Sequence, residues 1–188
     1  MKPIVIILFS ILFAITTHAQ QHHSDGVDDV LQYAPYAAAL TLKAVGVESQ
    51  SNWKNMALNV GISYVGTMAI TYALKHSIKS ERPDQSDRYA FPSGHAAVSF
   101  AGATILLNEY GKTSPLIPIA GYALATATSL HRVNINRHHW SDVICGALIG
   151  SATAQATCWI NKRINTKKSG RIDLSFSPYG AGAVWRMP

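Results

Sequence analysis

Three polar islands interrupt an otherwise apolar chain: "KHSIKSERP" from Lys75 to Pro83, "PSGH" from Pro92 to His95, and "HRVNINRHHWSD" from His131 to Asp142. They hold three fixed cations (Lys75, Arg82, Arg132), imidazoles at His95 and His138, and a carboxylate at Asp142. A guanidinium pairs bidentately with phosphate oxygens, and an ammonium adds a point charge beside it. Imidazoles titrate near neutrality and can serve as nucleophile, acid or base. The collection suits a tetrahedral oxyanion.

Each island also has a plainer reading. A helix starting near Pro92 leaves its first N–H groups unpaired, and Gly94 keeps side-chain bulk away from them, so phosphate can bind there. Ser93 adds a hydroxyl donor, and His95, one turn in, can reach a leaving group. Taken alone, however, Pro and Ser are ordinary residues at helix starts. Lys75 can merely offset a helix dipole, and Arg82-Pro83 can be a surface turn. His138 and Asp142 stand four apart, a spacing that allows a hydrogen bond on one helical face. A carboxylate that holds one imidazole nitrogen leaves the other as an oriented nucleophile or metal ligand. His139, three residues from Asp142, fits that role equally by spacing. Zinc is disfavoured, because no cysteine or carboxylate cluster has ligand spacing.

The elements that position these groups follow from the apolar runs. Ala34 to Val47, Met56 to Leu74, Ala96 to Leu107, Leu116 to Leu130 and Val143 to Ile160 are long enough for helices, so the fold class is all-α. Each island lies at a helix end. In an up-and-down bundle of five to six helices, the alternation of chain direction brings all three islands to the same end. Gly146 and Gly150 form a close-packing pattern. Asn59, Ser63, Thr67 and Thr71 recur every fourth residue, a polar stripe that favours a soluble or membrane-docked bundle over full spans. The mean hydropathy of +0.09 points the same way. After Ile172, apolar and polar residues alternate around Pro178 to Gly182, which predicts a short C-terminal β-hairpin.

The 188 residues fit one domain. Lys2, the apolar run Pro3 to Ile15 and the small-x-small pattern at Thr17 to Ala19 predict a signal peptide over 1–19. The domain then covers 20–170 and the hairpin tail 171–188. Export places the protein in the periplasm or cell envelope. Cys145 and Cys158 fall on one helix, about 20 Å apart, and cannot bridge. Of the net charge of +6, much sits in Lys162, Arg163, Lys167, Lys168 and Arg171. That cluster reads as a membrane headgroup contact or a solvated helix end, rather than as a nucleic-acid surface.

Lys75-x6-Arg82-Pro83, Pro92-Ser93-Gly94-His95 and Arg132-x5-His138-x3-Asp142 resemble the three-part signature of the type 2 phosphatidic acid phosphatase (PAP2) superfamily. That superfamily includes lipid phosphate phosphatases, lipid A phosphatases, nonspecific acid phosphatases and vanadium haloperoxidases. The resemblance is close from Lys75 to Asp142, with one departure: His131 stands where a serine usually precedes the arginine. It implies that Lys75, Arg82, Ser93, Gly94 and Arg132 bind the phosphoryl group. It implies His138 rather than His139 as nucleophile, with Asp142 orienting it and His95 protonating the leaving alkoxide. It implies a phosphohistidine intermediate, with no metal or cofactor. The expected substrate is a membrane lipid phosphate of the lipid A, phosphatidylglycerol phosphate, phosphatidate or polyprenyl diphosphate class, met at a membrane surface. A soluble broad-specificity acid phosphatase and a non-catalytic anion-binding envelope protein are the alternatives.

Overall fold

The computed structural model describes residues 29–168 and the backbone of two tail strands, 172–177 and 180–185. The predicted signal peptide over 1–19 lies outside the described residues. Five long helices follow in order: α1 (Ala34–Ala44), α2 (Trp53–Ile78), α3 (Gly94–Tyr110), α4 (Leu116–Asn134) and α5 (Trp140–Lys168). Strands β1 (Ile172–Ser177) and β2 (Gly180–Trp185) pair antiparallel, with Ile172 opposite Trp185 and Ser177 opposite Gly180. The fold is an all-α bundle with a tail hairpin, in agreement with the sequence.

Four helices run beyond the apolar stretch that predicts them, into the polar residues that flank it. The Asn52 side chain accepts the Asn55 N–H at 2.9 Å and caps α2. Lys79, in the left-handed region at φ 50°, ends it. Only α1 stops early, where Gly46 turns the chain at φ 82° and the Val47 N–H returns to the Leu42 carbonyl at 2.9 Å.

Helix α3 is the centre and packs against all four others. Its Val98, Ile105, Leu106 and Tyr110 join Tyr36 and Leu42 of α1, Met56 of α2, Ile117 of α4 and Cys158 of α5 in one core. The closest approach is to α5. A Cβ at Gly150 would overlap the Ala97 carbonyl, and one at Gly146 would overlap the Ser93 carbonyl. The Gly-x-x-x-Gly spacing therefore works between α5 and α3 as the sequence suggests.

The polar stripe of α2 behaves contrary to expectation. Asn59, Ser63, Thr67 and Thr71 are all buried against the bundle, while Leu58, Ile62, Val65, Ile70 and Tyr72 point outward. Hydroxyls suit the inner side because they are small and allow close packing. Ser63, for example, lies 3.0 Å from the Tyr36 hydroxyl. The stripe is thus no sign of a water-facing helix. Helices α2 and α5 are each long and apolar enough to cross a membrane. Cys145 and Cys158 are both free, as expected of two cysteines on one helix.

At the end of the bundle remote from the three islands, the buried carboxylate of Glu109 accepts from the Ser51 N–H at 2.9 Å and the Asn59 amide at 3.1 Å. Asn161 donates to the Asn59 side-chain oxygen at 2.7 Å and continues the network to α5. These groups border a cavity of 840 Å³. It is far from the candidate catalytic residues.

Candidate active site

The islands do converge. Lys75 is in the last turn of α2, Ser93 caps α3, Arg132 is in the last turn of α4, and His138 lies two residues before α5. Backbone bonds lock them together: the Ser93 N–H donates to the Asp142 carbonyl at 2.9 Å, and the Arg132 carbonyl accepts the His138 N–H at 3.3 Å.

The loop after α2 is fixed by its own cation. Arg82 Nε donates to Asp87 Oδ1 at 2.9 Å, and Arg82 Nη1 reaches the Arg137 carbonyl at 3.2 Å. Arg137 in turn pairs with Asp84 at 3.3 Å, so two loops that are distant in sequence are cross-linked by charge. Lys75 Nζ donates to the Tyr89 carbonyl at 2.6 Å, which holds the approach to Ser93 against α2.

Ser93 is fully buried, and its Oγ accepts the Ala96 N–H at 3.4 Å. The helix-cap reading of "PSGH" therefore holds. At Gly94 an added Cβ would meet only the Thr71 methyl, at 3.8 Å. Room is left over the first turn.

Asp142 departs from the expected hydrogen bond along a helical face. Helix α5 begins only at Trp140, so His138 is in the preceding turn and not on the helix. Asp142, the third residue of α5, instead reaches back: its Oδ2 accepts the His139 N–H at 2.8 Å, half of a capping box. The same oxygen lies 3.6 Å from His138 Nδ1 and 3.5 Å from His139 Nδ1. One carboxylate thus caps α5 and faces two imidazoles at ion-pair range. Burial separates the two. His138 is 2% exposed and His139 52%.

The His138 imidazole is surrounded by positive charge as well as by protein. Burial, then Lys75, Arg82, Arg132 and His95, push its pKa down from the ordinary 6.5 to about 3. It is a neutral imidazole at any ordinary pH. Its Nδ1 has no hydrogen-bond partner. A neutral ring nitrogen beside three cations can attack an electrophile whose anionic oxygens those cations hold.

His95, 17% exposed, makes a contact that sequence reasoning missed: its Nε2 lies 2.8 Å from Asp29 Oδ1. The only sequence signal was the acidic run Asp25, Asp28, Asp29 ahead of the first helix, and no spacing rule ties it to His95. His131, the departure from the usual signature, is half-buried in the last turn of α4.

The model of the PAP2 superfamily matches residues 56–165, more than half of the chain. The chain belongs to the PAP2 superfamily. Over 147 residues, 77% of its length, it is 36% identical to the lipid A 1-phosphatase of Porphyromonas gingivalis, of which it covers 33%. Over 81 residues, 37% of its length, it is 38% identical to lipid phosphate phosphatase 1 of Arabidopsis thaliana, of which it covers 24%. It therefore spans a third or less of the length of these curated relatives. Among solved structures it is similar to Aquifex aeolicus LpxE, with a TM-score of 0.55 at 19% identity, covering 79% of this chain and 92% of that one. That likeness supports the helical PAP2 fold.

Proposed function

We propose that this PAP2 chain is a metal-independent phosphatase of a membrane lipid phosphate, working through a phosphohistidine. The observation that carries the reading is the neutral, buried imidazole of His138 among Lys75, Arg82 and Arg132, with His95 close enough to act on it electrostatically. In the proposed sequence the three cations and the N-terminus of α3 hold the phosphoryl oxygens. His138 forms the P–N bond as the P–O bond breaks, Asp142 stabilises the ring that becomes cationic, and His95 gives its proton to the departing alkoxide. Water then attacks phosphorus, returns a proton to His95 and releases phosphate. Phosphoryl transfer is mainly positioning and charge stabilisation, which this arrangement supplies.

The lipid preference is supported by the outer surface. Trp53 and Tyr72 on α2, and Trp140 and Trp159 on α5, are exposed aromatics nineteen residues apart on each helix. At 1.5 Å per residue each pair spans about 28 Å, close to the thickness of a hydrocarbon core. Tyr72 and Trp140 mark the catalytic end, Trp53 and Trp159 the other, as aromatic belts would. We read α2 and α5 as crossing the bilayer, with the site at the lipid–water boundary on the periplasmic side. The named relative in Porphyromonas gingivalis makes a lipid A class headgroup the first substrate to try.

The deciding assay is phosphate release by the purified chain in detergent micelles from lipid A, phosphatidate and p-nitrophenyl phosphate, in the presence of a chelator. Release from the lipids that is lost in His138→Ala supports the reading. Higher turnover of p-nitrophenyl phosphate than of every lipid would favour a broad-specificity acid phosphatase, and no release would favour an anion-binding protein.

A further inference from the structure

His95 must be cationic to donate a proton to a leaving group. A carboxylate beside the ring favours that charged form, and Asp142 faces His138, His139 and the cap of α5.

The chain ahead of α1 supplies one. His95, Ser99 and Gly102 lie on one face of α3, at i, i+4 and i+7. Gly102 admits α1 so closely that a Cβ there would come within 2.9 Å of Pro35 and 3.0 Å of the Tyr36 nitrogen. One turn earlier, Ser99 Oγ donates to the buried Gln32 carbonyl at 3.3 Å. The Gln32 side chain donates to the Asp29 carbonyl at 2.9 Å. The last step of this ladder is the Asp29 carboxylate on His95 Nε2 at 2.8 Å. Three successive contacts along one helix face deliver that carboxylate, so its placement does not depend on a single exposed side chain.

We propose that Asp29 is the positioning residue of the leaving-group acid: it holds the Nε2 proton of His95, fixes the tautomer and leaves Nδ1 to exchange the proton of the reaction. In the imidazolium both nitrogens carry protons. The Nδ1 proton goes to the departing alkoxide as the P–O bond breaks and the bond from His138 to phosphorus forms. The neutral ring that remains keeps its proton on Nε2 against Asp29, and Nδ1 takes a proton from the attacking water as the P–N bond breaks. The chain then has two carboxylate–imidazole pairs with opposite tasks. Asp142 faces the ring that attacks phosphorus, and Asp29 the ring that gives the proton.

This proposal rests on the phosphatase reading for its kinetics but not for its structural core, and the test separates the two. Full-length wild type, Asp29→Asn and Asp29→Glu are compared in micelles on a long-chain alkyl phosphate and on p-nitrophenyl phosphate across pH. The His95 imidazole is followed by NMR titration in the same proteins without substrate. Asp29→Asn is expected to lower kcat/KM on the alkyl ester about tenfold or more, with a smaller loss on p-nitrophenyl phosphate, whose leaving group needs little protonation. The alkaline limb of kcat/KM and the His95 titration both move about half a pH unit or more toward acid, because the charged ring has lost the Asp29 carboxylate. Asp29→Glu restores both. Superimposable limbs and superimposable His95 titrations in wild type and Asp29→Asn overturn the proposal. If wild type releases no phosphate, the phosphatase reading falls, and the NMR titration alone still decides whether Asp29 holds the His95 proton.

Discussion

Ser93 and Asp142 are bonded backbone to backbone, the Ser93 N–H donating to the Asp142 carbonyl at 2.9 Å. This bond joins the N-terminus of α3, where an anion would be received, to the first turn of α5, which carries the carboxylate facing His138. Two of the three polar islands therefore move as one body. The spacing between them depends on how closely α5 lies on α3.

Gly146, one turn beyond Asp142, sets that spacing, since a Cβ there would overlap the Ser93 carbonyl and come within 3.2 Å of the Ala96 methyl. Gly146→Ala is expected to destabilise the fold by about 1 to 3 kcal/mol, the usual range for overpacking, and to lower kcat more than it raises KM. Gly61 is the control, because a Cβ there meets nothing within 4 Å. Gly61→Ala should leave activity unchanged and raise stability by about 0.5 to 1 kcal/mol. Thermal unfolding in detergent and steady-state kinetics of the two variants test the contrast.

His138→Ala and His95→Ala are expected to differ in how they respond to the leaving group. Loss of the nucleophile removes turnover of alkyl and aryl phosphates alike. Loss of the acid costs about 10² to 10⁴ in rate on alkyl phosphates and much less on p-nitrophenyl phosphate. Equal losses for His95→Ala on both esters would remove it from the leaving-group role. Ethylenediaminetetraacetate should leave the wild-type rate unchanged.

The helical bundle and the convergence of the islands were legible because apolar run length and alternation of chain direction are local properties of the sequence. What was not legible was the direction in which a side chain faces. Asn59, Ser63, Thr67 and Thr71 read as a stripe from the sequence, but a stripe has the same period whether it faces water or a protein core. His138 and His139 were likewise equivalent by spacing to Asp142, and burial separates them only once Trp140 starts the helix. Asp29 was beyond reach for a third reason. Its contact with His95 joins residues 66 apart, across a packing arrangement of α1 on α3 that no motif encodes.

The depressed pKa of His138 has a thermodynamic consequence. Its folded-state imidazole holds a proton less tightly than an unfolded one, with a pKa of about 3 against the ordinary 6.5. Unfolding therefore takes up a proton within that window, so stability falls as pH drops from about 6.5 toward 3. His138→Gln, which cannot titrate, is expected to flatten the slope of unfolding free energy against pH in this window by up to one proton. Denaturant unfolding of both proteins at several pH values between 4 and 7 measures the slope, and parallel curves would show that His138 is not the group responsible.

Helix α2 gives the last contrast, between a face turned inward and one turned outward at neighbouring positions. Thr67 is fully buried, and its Oγ1 has no hydrogen-bond partner. A buried hydroxyl left unsatisfied costs about 1 to 3 kcal/mol, so Thr67→Val, which keeps the shape and removes the oxygen, should be neutral or stabilising. Val65, two residues earlier and near the middle of α2, is 64% exposed. On a water-facing helix Val65→Lys would change stability by no more than about 0.5 kcal/mol. In a bilayer a lysine at mid-helix costs about 2.5 to 3.5 kcal/mol, so Val65→Lys should reduce membrane insertion while Thr67→Val does not. Alkaline carbonate extraction of membranes from expressing cells separates the outcomes: Val65→Lys should shift protein to the soluble or degraded fraction. If it stays in the pellet at the wild-type level and folds normally, α2 does not face lipid at Val65.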